Sequence, residues 1–238
     1  MIQERSFRGA PYKIECTELE GYQHPSWFSF DDEADVRDRD WLIRSGDIVL
    51  DVGAAYGSYT LTALASGAAR VYAWSPQGPP NEPTEAEMLR RSLALNGWTD
   101  RCTIYENGVY DKSGFLNAST QDFNAADSPP AGNDPDVIRV ECLDDWWARN
   151  HIFRADWMKL DVEGAEVEVL RGARALITEL QPTILVENHL FKRASLGDEV
   201  RGLLSLYGYN HVCTHPYHAI SHSVFRPCSP SPSESSAR

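Results

Sequence analysis

The sequence predicts a single α/β domain organised around a doubly wound, mostly parallel β-sheet with helices on both faces. Short, largely apolar runs at residues 48–50 and 69–74 are typical of strands that are buried on both faces. Helical patterns separate successive strands, which gives the order strand, helix, strand, helix, strand over residues 47–106. Ligands bind such sheets at the carboxyl ends of the strands, so we expect the functional residues there.

Composition favours one sizeable core and argues against a polyanionic partner. The 238 residues are 42% apolar, and 35 acidic residues outnumber 22 basic ones, for a net charge of −13. Non-specific binding of nucleic acid depends on lysine and arginine, so we expect no nucleic-acid partner. Five cysteines without C-x-x-C spacing predict neither a disulfide framework nor a zinc site. No signal peptide is recognisable and no apolar run approaches ~20 residues, which predicts a cytoplasmic protein without membrane contact.

Residues 47–61, DIVLDVGAAYGSYTL, combine a buried strand, an acidic residue and a glycine turn before a helix. The acid Asp51 and the glycines Gly53 and Gly57 are not spaced as in the G-x-G-x-x-G of a dinucleotide site. A carboxylate beside the turn repels a pyrophosphate but suits an ammonium group, such as that of the methionine moiety of S-adenosylmethionine. We expect the glycines to let the backbone approach that ligand closely. The alternative is that they only turn a strand into a helix.

The later elements are expected from local patterns. Thr84 and Glu87 predict a capping box for a helix that ends at Gly97. Asp144 or Asp145 is expected to cap a short helix. Further strands are expected at residues 102–106, 114–119, 137–143, 157–162 and 183–186, helices at 165–176 and 197–206, and an antiparallel edge at 209–213 and 221–225.

A second polar stretch, MKLDVEGAE at residues 158–166, lies where a central strand gives way to a helix. Strand alternation points Lys159, Asp161 and Glu163 to one side. Buried charges are costly unless they are paired or used, so the stretch predicts either a functional group or a purely structural pair of Lys159 and Asp161. The next strand ends in the polar residues 187–189, ENH.

Six blocks of sequence, in this order, resemble the FkbM-type S-adenosylmethionine-dependent methyltransferases over about residues 47–188. The blocks are DVGAAYGSYT from residue 51, VYAW from 71, LNG from 95, VECLDD from 140, KLDVEGAE from 159 and PTILVE from 182. The resemblance implies the class I methyltransferase fold, a Rossmann-like sheet of seven strands with an antiparallel last strand. It also implies transfer of a methyl group to a hydroxyl of a small natural product or sugar.

The resemblance also implies roles for individual residues. The loop after the first strand would hold the methionine end of S-adenosylmethionine, residues 107–109 would lie near the adenine, and Asp161 would lie near the transferred methyl group. The cofactor-binding residues predicted in this way are Asp51, Gly53, Ala54, Ala55, Tyr56, Gly57, Tyr59, Ser75, Asn107, Gly108, Val109 and Asp161.

One position departs from the family pattern. After the second strand such enzymes usually have a glutamate followed by proline, and the acid binds both ribose hydroxyls, whereas here Ser75 precedes Pro76. Hydrogen bonds to a charged group are roughly twice as strong as neutral ones, so weaker cofactor binding is expected. Glu82, in the longer loop that follows, is a candidate to replace the missing acid.

Methyl transfer to a hydroxyl requires an in-line oxygen nucleophile, exclusion of water and removal of a proton. The predicted catalytic residues are Asp161, Lys159 and His189, and His151 is a further candidate base. In the alternative mechanism, oxygen ligands from Asp161, Glu187 and Asn188 hold Mg²⁺, in an arrangement similar to that of catechol-type O-methyltransferases.

The remaining segments complete the predicted organisation. Residues 1–40 are expected to form a cap on a methyltransferase domain at 41–228, with 120–136 as a lid loop and 229–238 as a disordered tail. The cap aromatics would either pack it onto the sheet or line a substrate entrance. These aromatics are Trp27, Phe28 and Phe30. Four histidines fit no zinc spacing and are expected in loops between the last strands, namely His211, His215, His218 and His222.

These observations predict an S-adenosylmethionine-dependent O-methyltransferase acting on a hydroxyl of a small molecule. Two alternatives stay open at this point. One is a nucleotide-dependent oxidoreductase on the same sheet, which the glycine spacing disfavours. The other is a methyltransferase-like protein that has lost turnover, as Ser75 would allow, and binds a partner.

Overall fold

Strands and helices alternate through the central part of the chain, as the sequence predicts. The computed structural model describes residues 2–15, 39–76, 84–117, 123–124, 136–217 and 220–228. The strands are β1 (Ile2–Phe7), β2 (Ala10–Glu15), β3 (Ile48–Val52), β4 (Arg70–Trp74), β5 (Cys102–Tyr105), β6 (Gly108–Tyr110), β7 (Gly114–Asn117), β8 (Phe123–Asn124), β9 (Val137–Cys142), β10 (Trp157–Leu160), β11 (Thr183–Asn188), β12 (Tyr209–Tyr217) and β13 (Ile220–Pro227). The helices are α1 (Ser58–Ala65), α2 (Glu85–Asn96), α3 (Leu143–Asn150), α4 (Glu166–Gly172), α5 (Arg174–Leu180) and α6 (Leu196–Leu206).

The main sheet has seven strands in the order β12-β13-β11-β10-β3-β4-β5. Strands β11, β10, β3, β4 and β5 run parallel, and β13 pairs antiparallel with both β11 and β12. This order confirms the predicted class I methyltransferase fold. The strand order reverses around β3, which places the β3–α1 loop at the crevice where such sheets bind ligands.

Alternate residues of the central strands supply apolar side chains to both faces of the sheet. Leu50 of β3 and Met158 of β10 pack in one buried cluster, while Val49 and Trp157 pack in the other. Because both faces are covered, the apolar runs in the sequence show no alternation. No helix in the described ranges is long and apolar enough to cross a bilayer.

The first residues of the chain form a hairpin, β1–β2, that packs against helix α2. Phe7 and Tyr12 are buried in the same apolar cluster as Trp41. The Asn96 side chain accepts a hydrogen bond from the Lys13 N–H (2.7 Å) and donates one to the Lys13 carbonyl oxygen (2.6 Å). The hairpin thus adds to the core of the main domain. Residues 16–38, including the three cap aromatics, lie outside the described residues.

Two helix boundaries test the capping predictions. At α2 the capping box of Thr84 and Glu87 is present and Gly97 ends the helix in a left-handed conformation, as predicted. At α3 the prediction was wrong, because the helix begins at Leu143 after Cys142. The Asp144 carboxylate instead accepts hydrogen bonds from the N–H groups of Ala175 and Leu176, both 2.9 Å, at the first turn of α5.

The predicted helix at residues 165–176 is two helices, α4 and α5, joined at Ala173. Gly172 ends α4 where the chain passes so close to Tyr110 that a Cβ atom would lie 2.3 Å from the Tyr110 carbonyl oxygen. Tyr110 belongs to β6, which is part of a second sheet of order β6-β9-β7-β8. The sequence did not predict this sheet.

Strand β11 continues to Asn188, two residues beyond its predicted end. The last two strands are also longer than predicted, which adds His215 to β12. His211 and His222 lie within the predicted strand ranges and are likewise in strands, so the expectation that these histidines are in loops was wrong. His218 lies outside the described residues, as do the tail 229–238 and residues 125–135 of the expected lid. The cap, lid and tail therefore stay predictions.

Candidate active site

The candidate site lies at the carboxyl ends of β3, β4, β10 and β11. In the sheet register, Lys159 of β10 is opposite Asp51 of β3. Asp161 follows β10, Glu187 lies near the end of β11, and His189 follows β11. Parallel strands thus bring together residues that are far apart in the sequence, as the two polar stretches predict.

The glycine turn after β3 is held by contacts within the protein. Gly53 and Gly57 have φ values of +86° and +92°, which favour glycine. A Cβ atom on Gly53 would lie 1.6 Å from the Asp161 carbonyl oxygen, and one on Gly57 would lie 2.3 Å from Leu89 Cδ1. At these two positions glycine is therefore required by neighbouring protein atoms, and the expectation that it lets the backbone approach a ligand closely stays a prediction. The loop itself is fixed by Ala54, whose N–H donates to the Trp74 carbonyl oxygen (2.7 Å).

Asp51 is fully buried, and among the described residues only one of its two carboxylate oxygens has a hydrogen-bond partner. Its Oδ2 accepts a hydrogen bond from the Thr60 hydroxyl at 2.6 Å, while Oδ1 has no hydrogen-bond partner among the described residues. Burial raises the pKa of Asp51, and the bond from Thr60 and the charge of Lys159 oppose this effect in part. A buried carboxylate oxygen without a donor is costly, and an ammonium group beside it would remove that cost. Asp51 therefore fits the ligand class that the sequence predicts for this loop.

Lys159 is fully buried at the centre of the site. Its ammonium nitrogen lies 3.4 Å from Asp161 Oδ2 and 3.5 Å from Glu187 Oε2, and it lies 4.6 Å from the centre of the Tyr59 ring. The pair of Lys159 and Asp161 that the sequence suggests is present, and Glu187 extends it. Tyr59 thus packs against this lysine, and its assignment to the methionine end of the cofactor stays a prediction.

Glu187 bridges Lys159 and a histidine from the next strand. His222 Nε2 lies 3.0 Å from Glu187 Oε2, and the two residues are opposite each other in the register of β11 and β13. Burial alone would raise the pKa of Glu187, but Lys159 and the bond from His222 outweigh it and hold the pKa well below its usual range. Glu187 is therefore ionised at neutral pH.

His189 is surrounded by four carboxylates. Its Nδ1 lies 2.7 Å from Glu166 Oε1, and its Nε2 lies 3.5 Å from both Glu163 and Glu187 and 3.7 Å from Asp161. Burial opposes the charged imidazolium, but the bond with Glu166 and the charges of Asp161 and Glu163 prevail and raise the pKa of His189 to about 9. His189 is the best-placed candidate for moving a proton.

Glu166 and His222 are functional candidates that sequence reasoning missed. Glu166 closes the MKLDVEGAE stretch, so its place in that motif was a usable signal. His222 was assigned to a loop, and only the pairing of β13 with β11 turns it toward Glu187.

The set predicted for Mg²⁺ stays a prediction. The Asn188 amide nitrogen donates hydrogen bonds to Ser221 and Ser223 of β13, at 3.1–3.2 Å, and its Oδ1 has no hydrogen-bond partner among the described residues. Ligand atoms of Asp161, Glu187 and His189 do lie within 4.8 Å of one another. The ammonium group of Lys159 already supplies a positive charge between the first two, so this trio does not fit a divalent cation without displacing Lys159. His151, the other candidate base, is exposed at the end of α3.

In the segment expected near the adenine, residues 107–109, one residue makes polar side-chain contacts and the other two pack against the core. The Asn107 amide donates to Glu141 Oε1 (2.9 Å), and the Trp74 indole N–H donates to the same oxygen (3.0 Å). Val109 is 5% exposed and packs in the apolar core, while Gly108 fits closely against Val140. Asn107 is thus the polar side chain of this segment that ends beside the crevice.

Ser75, at the end of β4, is fully buried beside an acid from α2. Its hydroxyl lies 3.4 Å from Glu85 Oε2, and its N–H donates to the Tyr105 carbonyl oxygen. Glu85 was not predicted as a site residue, although its position directly after the capping residue Thr84 was visible in the sequence. Glu82 lies outside the described residues.

Comparisons with known proteins agree with this fold. The family described as "Methyltransferase FkbM domain" matches residues 51–210. Among solved structures, the methyltransferase FkbM from Methylobacillus flagellatus KT is 20% identical, with a TM-score of 0.55 over 79% of this chain and 46% of that chain. A putative SAM-dependent methyltransferase from Streptococcus mutans is 10% identical, with a TM-score of 0.53 over 94% of this chain and 55% of that chain.

A conserved hypothetical protein from Streptococcus pyogenes is 12% identical, with a TM-score of 0.51 over 82% of this chain and 94% of that chain. At these identities the likenesses show the fold. The chain spans less than half the length of the Methylobacillus protein. No protein of curated function matches the chain significantly.

Proposed function

We propose that this chain, which belongs to the family described as methyltransferase FkbM domain, is an S-adenosylmethionine-dependent methyltransferase that methylates a hydroxyl oxygen of a small molecule. The observation that carries the proposal is the cluster of Lys159, Asp161, Glu187 and His189 directly beside the glycine turn. Such a cluster can bind a hydroxyl and move its proton at the place where this fold binds its cofactor.

The chain's own residues fit the cofactor. The free oxygen of Asp51 suits the ammonium group of the methionine moiety, and Asn107 suits the adenine end. When bound, S-adenosylmethionine supplies an already activated methyl group. The protein is therefore left with three tasks, which are to orient the acceptor, to exclude water and to accept a proton.

In the proposed mechanism, His189 Nε2 accepts the proton of the acceptor hydroxyl. Glu166 fixes the imidazole ring through Nδ1 and leaves Nε2 toward Asp161 and Glu163 at the crevice. Lys159 holds the carboxylates of Asp161 and Glu187 in place, and the Asp161 carboxylate accepts a hydrogen bond that orients the substrate. Since these carboxylates stabilise imidazolium, they also stabilise the state reached after proton transfer.

The carboxylates around His189 also restrict which kind of acceptor molecule can bind. Asp161, Glu163 and Glu187 lie around His189, so a phosphorylated or carboxylated acceptor would meet like charges. The ring of Phe191 is 58% exposed and lies 5.6 Å from the centre of the His189 ring, which provides an apolar surface next to the base. We therefore propose a neutral or cationic acceptor with an apolar portion.

Location and partners are part of the same proposal. The free cysteines Cys102, Cys142 and Cys213 support a reducing compartment, which favours the cytoplasm. The net charge of −13 supports a small-molecule acceptor over nucleic acid.

The test is methyl transfer from S-adenosylmethionine to a panel of neutral hydroxyl compounds, with and without a chelator. His189→Gln is expected to lose about 10²- to 10⁴-fold in turnover, the usual contribution of a general base. His151→Gln, an exposed histidine on α3, is the matched control and should retain activity. Activity that depends on added Mg²⁺, or an unchanged His189→Gln variant, would contradict this mechanism.

A further inference from the structure

At the carboxyl end of β4 the chain has Ser75 in place of the acid that the family resemblance implies, and another acid, Glu85, lies beside it. Ser75 is fully buried at the position where the family resemblance implies a ribose-binding acid, and its hydroxyl can donate or accept but carries no charge. The Glu85 carboxylate lies 3.4 Å away, contributed by α2 and not by the strand. An acid is therefore present at this end of β4, although it comes from a different element.

The position of Glu85 is fixed by the helix that carries it. It is the first residue of α2, directly after the capping box formed by Thr84 and Glu87. A carboxylate in the first turn of a helix is favoured by the free N–H groups there, so a charged Glu85 is compatible with its place. The far end of the same helix is held to the N-terminal hairpin through Asn96.

The Glu85 side chain has unused capacity to accept hydrogen bonds. In the described part of the chain its one hydrogen bond is the long contact from Ser75. Burial raises the pKa of Glu85, Ser75 lowers it and the nearby charge of Glu163 raises it further. A partly buried carboxylate with few donors is unfavourable on its own, and a ligand that brings donors would relieve it.

We propose that Glu85 accepts hydrogen bonds from the two ribose hydroxyls of S-adenosylmethionine, in place of the acid that Ser75 lacks. This inference rests on the proposed function only in taking S-adenosylmethionine as the cofactor. A vicinal diol offers two donors, and a carboxylate offers two acceptor oxygens, so one side chain satisfies both hydroxyls. The methyltransferase therefore retains charged ribose recognition without a glutamate at the strand end.

The experiment measures affinity by calorimetry for two ligands, S-adenosylhomocysteine and its analogue lacking the ribose 2′-hydroxyl. In the wild type, loss of the hydroxyl should weaken binding by about 10- to 100-fold, the range for a hydrogen bond to a charged group. In Glu85→Gln, the parent ligand should bind about 10- to 100-fold more weakly, and the two ligands should differ much less. Glu82→Gln tests the other candidate acid named above, and if Glu85 binds the ribose this variant should bind both ligands as the wild type does.

A second pair of variants keeps the test decisive. Ser75→Glu alone should not tighten binding, because the new carboxylate would stand beside Glu85, whose Oε2 lies 3.4 Å from the Ser75 hydroxyl, and the two charges would repel each other. Ser75→Glu combined with Glu85→Gln should restore affinity and discrimination, because the acid then stands at the strand end. Thermal unfolding of each variant separates loss of binding from loss of fold.

The outcomes separate this inference from the proposed function. If Glu85→Gln binds both ligands as the wild type does, or if Glu82→Gln loses the discrimination instead, the inference is overturned while the methyltransferase assignment stands. Failure of the proposed function would show elsewhere, as wild-type protein that binds S-adenosylhomocysteine but methylates no hydroxyl compound.

Discussion

His189 shows how a single residue is tuned by the strands around it. From the sequence, a histidine base would lose activity below a pKa near 6.5. Four carboxylates contributed by three parts of the chain now surround it, and its pKa is raised to about 9. At pH 7 only about 1% of the free protein then carries neutral His189, the form that accepts a proton.

Turnover is therefore expected to rise about tenfold per pH unit at low pH and to level off between pH 6.5 and 9. The positive charge of S-adenosylmethionine, when bound in the crevice, would lower the pKa of His189. The pH at which turnover is half-maximal is therefore expected below about 9. The measurement is the pH profile of kcat for wild type and for Asp161→Asn. Removal of one carboxylate should shift the midpoint downward, and a wild-type midpoint at or below 6.5 would contradict the arrangement.

The glycine turn yields a residue-scale prediction with two contrasting variants. Asp51→Asn removes the charge that an ammonium group would meet, so affinity for S-adenosylmethionine should fall about 10-fold or more while the fold persists. Gly57→Val should instead destabilise the protein, by roughly 2 kcal/mol or more, because its φ is +92° and its side chain would collide with Leu89. Calorimetry and chemical denaturation separate the two effects. Full affinity in Asp51→Asn would remove Asp51 from the cofactor site.

At the scale of elements, the contact between α3 and α5 depends on Asp144, one of the two residues that were predicted to cap α3 itself. Asp144 lies in the first turn of α3 but binds the free N–H groups of α5. The side chain thus ties two helices together, a role that no pattern in residues 143–150 reveals.

Asp144→Ala should lower the free energy of unfolding by about 1 kcal/mol, the usual value of an N-terminal cap. Asp145→Ala is the matched control, because Asp145 precedes Trp146 in the same first turn but accepts a hydrogen bond only from the side chain of Ser113 among the described residues. Denaturation midpoints compare the two variants. An equal loss from both would show that first-turn charge, and not the cap on α5, is what matters.

The outcomes at Thr84, Asp144 and Asn188 show what sequence reasoning can and cannot reach. Local rules predicted the capping box and the central parallel strands, because those depend on neighbouring residues. The direction of Asp144 and of the Asn188 amide depends on α5 and β13, which are distant in the sequence. The same limit explains why the contact of His222 with Glu187 was not predicted, because it depends on the pairing of β13 with β11.

At the scale of the whole molecule, the charged site couples stability to pH. The pKa of His189 is raised from 6.5 to about 9 in the folded protein, so protonation favours folding. This contribution is complete below pH 6.5 and is lost as the pH rises through 9. Glu187 behaves oppositely, because its pKa is lowered and its contribution is lost as the pH falls below its unfolded value.

The stability advantage of wild type over His189→Gln should therefore shrink on the order of 3 kcal/mol between pH 6 and pH 10. Chemical denaturation of both proteins at the two pH values gives the double difference, in which the titration of other groups largely cancels. A constant advantage across this range would mean that the carboxylates do not hold a proton on His189.

The hairpin β1–β2 bears on how the protein is best handled in the laboratory. Its second strand is hydrogen-bonded to α2, and α2 begins at Glu85. A purification tag fused tightly to Ile2, or a shortened clone that starts near Asp40, would disturb the same helix that we propose touches the ribose. Such material would look like a weak binder for reasons unrelated to its chemistry, so assays are best run on the full chain with any tag attached through a long spacer or removed.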